Sequence, residues 1–217
     1  MKNTNTIFWN VDTQEDFMEG NAAYSPKLAI PGSAIIRPTL ATITNLAREK
    51  NITIVNTRDW HDQNTSEIST EPDWSTTFPE HCLQGSYGAN FIQETIPQNA
   101  YEVDWKDSHY DSNQIGASKN IVLNKDHFDI FQGNPHTQSI LTELNPKKIV
   151  VYGVATNVCV NYAVLGLAER APQQGFQVYV VTDAIKELPG PVEPVYKTWR
   201  DVGVKFTSAK DLEYIMR

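Results

Sequence analysis

This sequence predicts an α/β fold: a three-layer α/β/α arrangement around a central, mostly parallel, six-stranded sheet. Two patterns predict it. Short β-branched and apolar runs recur along the chain, and amphipathic helical patterns lie between them. A third observation agrees with both: several runs end directly in polar residues, as strands do where an open parallel sheet forms a ligand crevice.

Ile7–Val11 reads as the first strand, and Ser33–Lys50 follows as a helix with an apolar face behind an N-cap-like Ser33. Ile52–Thr57 is the second strand. From Arg58 to Asp111 the rhythm stops. The segment is rich in Ser, Thr, Pro, Gly, His and Trp, with at most a short strand near Tyr101–Trp105. So long an irregular segment in a compact domain is functional or disordered. Its aromatic residues Trp60, Trp74, Phe78, Tyr87, Phe91 and Tyr101 argue for a packed, site-forming loop. Ile121–Leu123, Lys148–Tyr152, Gln177–Thr182 and Val204–Thr207 complete the six strands, and helical patterns cover Thr137–Leu144, Asn157–Arg170, Val192–Val202 and Ser208–Met216. With no repeat and no sharp shift in composition, residues 1–217 read as a single domain.

Composition narrows the partners. The chain has 18 basic and 26 acidic side chains, a formal net charge of −8, and its Lys and Arg residues are scattered, which speaks against nucleic acid and anionic membranes. Met1 to Val11 carries polar Asn and Thr where a signal peptide needs an apolar run, and no stretch is long enough to span a bilayer. A cytoplasmic location is the expectation. Cys82 and Cys159 are too few for a disulfide framework, which leaves room for a reactive thiol. A homo-oligomer contact is compatible with this composition, and one sequence does not map it.

Four strands end in groups that carry chemistry. The first runs into Asp12, the second into Asp59 and His61, the third into Lys125, and the fourth, through Gly153-Val-Ala-Thr-Asn-Val, into Cys159. Singly, each has a plainer reading. An Asp after a strand is often a turn former, a Lys is usually solvated, and a lone Cys at a helix start is often a small apolar side chain. Their joint placement at one end of one sheet favours function. Cys159 follows a strand-to-helix turn, where exposed N–H groups and the helix dipole favour thiolate and can hold an oxyanion. Asp12 can take the thiol proton and return it to a leaving amine, while Lys125 orients and balances the carboxylate. The reading is an Asp-Lys-Cys triad.

Asp59 and His61, two apart in extended backbone, point to the same side, and His81 across the loop makes a set of two imidazoles and a carboxylate suited to Zn²⁺, Fe²⁺ or Mn²⁺. Glu67 and Glu71 could add a ligand but read first as solvated loop carboxylates. Cys82 reads as packing, and His109, His127 and His136 have no partner pattern. Phe17 and Phe78 are equally suited to stacking on a planar ring or to the core.

Together these segments resemble the nicotinamidase (pyrazinamidase) branch of the isochorismatase-like cysteine hydrolases, a family of Rossmann-like fold. The matching segments are Val11-Asp-Thr-Gln-Glu-Asp-Phe17, Thr57-Arg-Asp-Trp-His61, Phe78-Pro-Glu-His-Cys82 with Gly85 and Gly88-Ala-Asn-Phe91, Lys125, and Gly153-Val-Ala-Thr-Asn-Val-Cys-Val160. The resemblance implies hydrolysis of nicotinamide, or pyrazinamide, to the acid and ammonia through a Cys159 thioester, as a step of NAD salvage. It implies Asp12 as base, Lys125 as its partner, and the backbone N–H groups of Ala155 and Cys159 as oxyanion hole, with a cis peptide at Val154–Ala155. It further implies one divalent metal on Asp59, His61 and His81, zinc before iron or manganese, that meets the ring nitrogen. The family often has Trp where this chain has Phe78, and a further His or acidic metal ligand where it offers Glu67. Two alternatives stand beside this: a related hydrolase of ureido or carbamoyl compounds, which needs the triad but no metal ligands, and a non-catalytic binding module, which predicts a broken triad.

Overall fold

The computed structural model describes residues 5–217; residues 1–4, part of the polar opening stretch weighed against a leader, lie outside that range. Its strands are β1 (Thr6–Val11), β2 (Ile54–Asp59), β3 (Tyr101–Val103), β4 (Asn120–Lys125), β5 (Lys148–Val154), β6 (Gln177–Lys186) and β7 (Lys205–Thr207). They form one sheet in the order β3-β4-β2-β1-β5-β6-β7, and every pairing is parallel. The sheet thus has seven strands among the described residues, not six. The addition is β3, three residues paired with the outer edge of β4 through Tyr101↔Ile121 and Val103↔Leu123. A tripeptide with an exposed Glu102 is too short to show a period.

β1 lies at the centre and is buried along its whole length, as is β2 beside it. Burial on both faces is why β1 and β5 read as nearly continuous apolar runs, whereas β2 also buries Asn56, Thr57, Arg58 and Asp59. The helices are α1 (Arg37–Glu49), α2 (Ser112–Ala117), α3 (Ile130–Gly133), α4 (Thr137–Leu144), α5 (Cys159–Gln174), α6 (Glu193–Asp201) and α7 (Leu212–Ile215). α5 packs on β5, β6 and β1, and α1 on β6. Leu40 and Ile43 of α1 and Val160, Val164 and Leu167 of α5 enter one core with Phe8, Trp9 and Val150 of the sheet.

Three local expectations change. Ser33 caps no helix: it opens a 3-10 turn, and its buried Oγ accepts the Glu19 N–H at 2.9 Å. The expected closing helix Ser208–Met216 is a 3-10 turn followed by the single turn of α7. The short α2 and α3 were not foreseen, because one or two turns carry too little periodicity. No helix among the described residues is long and apolar enough to cross a membrane.

The long β2–β3 connection is tied to the segment after β1 by the bridge Gln14↔Phe91 and is folded on itself by His61↔Leu83 and Ile68↔Phe78. Phe78 and Phe91 are buried, whereas Trp74 and Tyr87 stand exposed, so only part of its aromatic content packs inward.

Candidate active site

The strand order decides what meets. β4, β2, β1 and β5 are neighbours, so their carboxyl ends bring Lys125, Asp59, Asp12 and the 154–159 turn to one rim. Asp12 leaves β1 with φ 47°, and its Oδ1 accepts the Thr57 hydroxyl at 2.6 Å. The Lys125 ammonium stands 2.9 Å from Asp12 Oδ2, contacts Asp59 Oδ1, and lies 3.8 Å from Cys159 Sγ. A carboxylate oxygen of Asp12, one of Asp59 and the Cys159 sulfur lie within 4.8 Å of one another.

All four groups are buried, so burial and the charges of their neighbours together set their protonation. Burial pushes the Asp12 carboxyl up to about 6, against the pull of Lys125 and with the repulsion of Asp59. Burial would lower Lys125, but Asp12 and Asp59 outweigh it and hold the ammonium well above its usual value. Cys159 is raised well above the ordinary thiol range by burial and by the two carboxylates, with Lys125 opposing. Burial at the helix start thus favours the thiol form of Cys159, and the Asp12 carboxylate lies close to its sulfur.

The turn that carries Cys159 begins at Gly153, whose φ is 120° and where an added Cβ would lie 2.1 Å from the Val11 carbonyl oxygen. Only glycine lets β5 approach β1 so closely. The Val154–Ala155 peptide is cis. The Ala155 carbonyl accepts the N–H groups of Val158 and Val160, which winds the turn into α5 with Cys159 as its first residue. Among the described residues, neither the Ala155 nor the Cys159 N–H donates to a main-chain or side-chain acceptor.

Beside the triad, Asp59, His61, Glu67 and His81 are all buried, each with a ligand atom within 4.8 Å of the others'. The Nε2 atoms of His61 and His81 lie 3.7 and 3.6 Å from Asp59 Oδ2, and His81 Nδ1 lies 2.7 Å from the Pro79 carbonyl, which leaves Nε2 facing the cluster. Asp59 Oδ2, both His61 ring nitrogens and Glu67 Oε2 have no hydrogen-bond partner. Burying such groups unpaired costs about 1–3 kcal/mol each. A cation among them removes that cost, so the donor set fits a divalent metal. Without a cation, burial and the repulsion of Asp59 push Glu67 up to about 8, and burial lowers His61.

Glu67 is not the solvated loop carboxylate expected. Its carbonyl accepts the Phe78 N–H at 2.8 Å while the Phe78 carbonyl accepts the Ser69 N–H, and this local pairing goes with a Glu67 that is 3% exposed. Glu71 stays exposed. Gln14 was also missed. Its side chain accepts the Asp59 N–H at 2.7 Å and donates to the Asp59 and Ala89 carbonyls, so it holds the end of β2 in place. The Gln-Glu-Asp run after Asp12 held no spacing that distinguishes such a role. Asp16 accepts the Cys82 and Lys27 N–H groups and the Tyr24 hydroxyl, and Cys82 is packed at 0% exposure, consistent with a structural cysteine. His136 bonds the Asp107 carbonyl and His127 the Asp129 N–H, both outside the cluster.

Phe17, Phe78, Leu28, Ile30, Val158 and Leu188 wall a small cavity, and Cys159, Ala155, Asp59, Glu67 and His81 reach into it. Phe17 and Phe78 flank His81, with ring centroids 5.4 and 6.3 Å from its own. Both line the cavity and belong to the core, so the two readings of these residues do not exclude each other.

Comparison with known proteins points the same way. Residues 113–191, which include Lys125, Ala155 and Cys159, match the isochorismatase domain family. The chain is 25% identical over 173 residues to the nicotinamidase/pyrazinamidase of Mycobacterium tuberculosis, covering 80% of this chain and 82% of that one. It is 25% identical over 193 residues to the nicotinamidase of Escherichia coli, covering 81% and 80%. Its fold is similar to the crystal structure of the pyrazinamidase of Pyrococcus horikoshii in complex with zinc, with TM-score 0.70, 26% identity, and coverage of 94% of this chain and 99% of the other.

Proposed function

We propose that this chain, an isochorismatase-like amide hydrolase resembling the nicotinamidases, converts nicotinamide to nicotinate and ammonia through a thioester on Cys159, a step that serves NAD salvage. The observation that carries this reading is one small cavity reached by Cys159 from the buried Asp12-Lys125-Cys159 set and by Asp59, Glu67 and His81 from the buried Asp59-His61-Glu67-His81 cluster. Phe17 and Phe78 hold the planar ring with the carboxamide carbon turned to the sulfur, and this positioning supplies much of the rate. A divalent ion on Asp59, His61, His81 and Glu67, with zinc preferred over iron or manganese, would supply a Lewis-acidic anchor for the ring nitrogen.

Asp12 accepts the Cys159 proton as the sulfur bonds to the carboxamide carbon. The Ala155 and Cys159 N–H groups receive the oxyanion that forms, an interaction for which losing one donor typically costs about 10²–10³ in rate. On collapse, the C–N bond breaks and the nitrogen leaves as ammonia with the proton from Asp12. Asp12 then takes a proton from water as that water attacks the thioester, and the thiol is restored as nicotinate departs. Throughout, Lys125 keeps its charge and holds the Asp12 carboxylate in place.

A hydrolase of ureido or carbamoyl compounds would use the same triad but leave the buried Asp59-His61-Glu67-His81 cluster without a task, and a non-catalytic module would have no need of the triad geometry. The test is ammonia release from nicotinamide by wild type, by Cys159→Ala, and by chelator-treated wild type before and after zinc. Release that is absent in the variant and returns with zinc supports the reading. Metal-replete wild type that releases no ammonia sinks nicotinamide as substrate.

A further inference from the structure

We infer that Leu188 and Asn157 together set the size limit on what reaches the Cys159 sulfur, with Leu188 as the wall and Asn157 as the positioning residue that holds it. Leu188 follows the end of β6 and lines the cavity beside Val158 and Cys159. It is half-buried: it packs against the edge of the core and forms the rim of the cavity. Its peptide groups are held from both sides by one side chain: the Leu188 N–H donates to Asn157 Oδ1 at 2.9 Å, and Asn157 Nδ2 donates to the Leu188 carbonyl at 3.1 Å.

The surrounding segment, Leu188-Pro-Gly-Pro, has little else to hold it. Pro189 and Pro191 have no N–H, Gly190 adopts φ 148°, and among the described residues no other hydrogen bond reaches the backbone of residues 188–191. One further bond, Thr156 N–H to the Lys186 carbonyl at 2.8 Å, ties the root of the segment to the same turn. Asn157 lies between Ala155 and Cys159, so the wall's height is set by the turn that carries the nucleophile. Removing the carboxamide frees the wall without touching the sulfur, Asp12 or Lys125. The substrate class this predicts, an unbranched planar amide of about one ring, rests on the amide-hydrolase reading; the wall itself does not.

The experiment separates the two. Cys159 is alkylated with iodoacetamide or with the bulkier iodoacetanilide, the sulfur displacing iodide and its proton passing to solvent, and adducts are read by intact mass against a Cys159→Ala blank. Leu188→Ala and Asn157→Ala should each raise the bulky-to-small rate ratio by roughly tenfold, the scale on which an apolar pocket discriminates size. Asn157→Asp, which keeps the acceptor for the Leu188 N–H and loses the donor, should fall between Asn157→Ala and wild type. In the amidase assay, Leu188→Ala should shift kcat/KM toward a ring-methylated nicotinamide by a similar factor, through KM more than kcat. An unchanged alkylation ratio in both variants overturns the inference, and so does an equal change for both electrophiles. A shifted ratio in a protein that releases no ammonia upholds the wall and overturns only the amidase reading beneath it.

Discussion

Lys125→Met takes away the ammonium that stands between two buried carboxylates and leaves an apolar chain of similar length in its place. With Lys125 present, burial has already pushed the Asp12 carboxyl from 3.8 up to about 6. Each pH unit of that difference disfavours the folded, ionised form by about 1.4 kcal/mol, so Asp12 destabilises the metal-free fold by about 3 kcal/mol above pH 6. The sign is that of a raised carboxyl. The folded state binds the proton more tightly, so stability falls as pH rises from 3.8 to about 6 and is level beyond. Without the ammonium the folded value climbs further and the fall continues. At about pH 7.5 a fully neutralised Asp12 costs about 5 kcal/mol, about 2 kcal/mol more than in the wild type.

Asp59 adds to this. Burial raises its carboxyl, but Lys125 and the two imidazoles outweigh that and hold it well below its usual value, and the variant loses the largest of these counter-charges. The total reaches about 3–5 kcal/mol, the scale of breaking one side of a buried ion pair. For a chain of 217 residues this lowers Tm by about 6–20 °C. Near pH 5.5 Asp12 is mostly protonated in both proteins, so the gap should narrow by about 2 kcal/mol. Urea unfolding of chelator-treated protein, followed by Trp fluorescence at both pH values, measures it. A gap under about 1 kcal/mol at pH 7.5, or one that widens on acidification, would refute the view that Lys125 neutralises this pair.

Three further outcomes follow from the same geometry. Gly153→Ala drives a methyl into the Val11 carbonyl oxygen at a φ that disfavours any side chain, and should destabilise by more than about 4 kcal/mol in urea; a stable, active variant would contradict the close approach of β5 to β1. Gln14→Ala leaves the Asp59 N–H and carbonyl unpaired in a buried site, so it should cost about 2–4 kcal/mol and weaken zinc binding measured against a chromophoric chelator, whereas wild-type affinity would remove Gln14 as a positioning group. kcat/KM for the amide should fall on the acid side with a midpoint at or below about 6 as Asp12 takes up its proton, and a profile flat down to about pH 5 would argue against Asp12 as the base.

Much of the site was legible because its residues sit where pattern and chemistry coincide. Asp12, Asp59, Lys125 and Cys159 each follow an apolar run, and a parallel sheet puts all such positions at one end. What was missed has local causes. β3, weighed as at most a short strand near Tyr101–Trp105 and left out of the six, is a tripeptide that its pairing with β4 makes part of the sheet. Glu67 lies in a loop whose polar composition reads as solvated, and a long-range fold of that loop turns it inward. Gln14 acts through its carboxamide on a strand 45 residues away, and Leu188 meets Asn157 across 31 residues.

The sequence by itself determined the α/β class, the rim on which the polar residues lie, and the types of group available: a thiol, an ammonium, carboxylates and imidazoles. These depend on alternation and on local composition, which act between near neighbours in the chain. Only the tertiary structure decided the strand order that sets β4, β2, β1 and β5 side by side, the burial that raises Asp12 and Cys159, the turning of Glu67 toward Asp59, His61 and His81, and the Asn157 hold on Leu188. Burial and electrostatics depend on what surrounds a group in space, and those neighbours come from segments far apart in the chain.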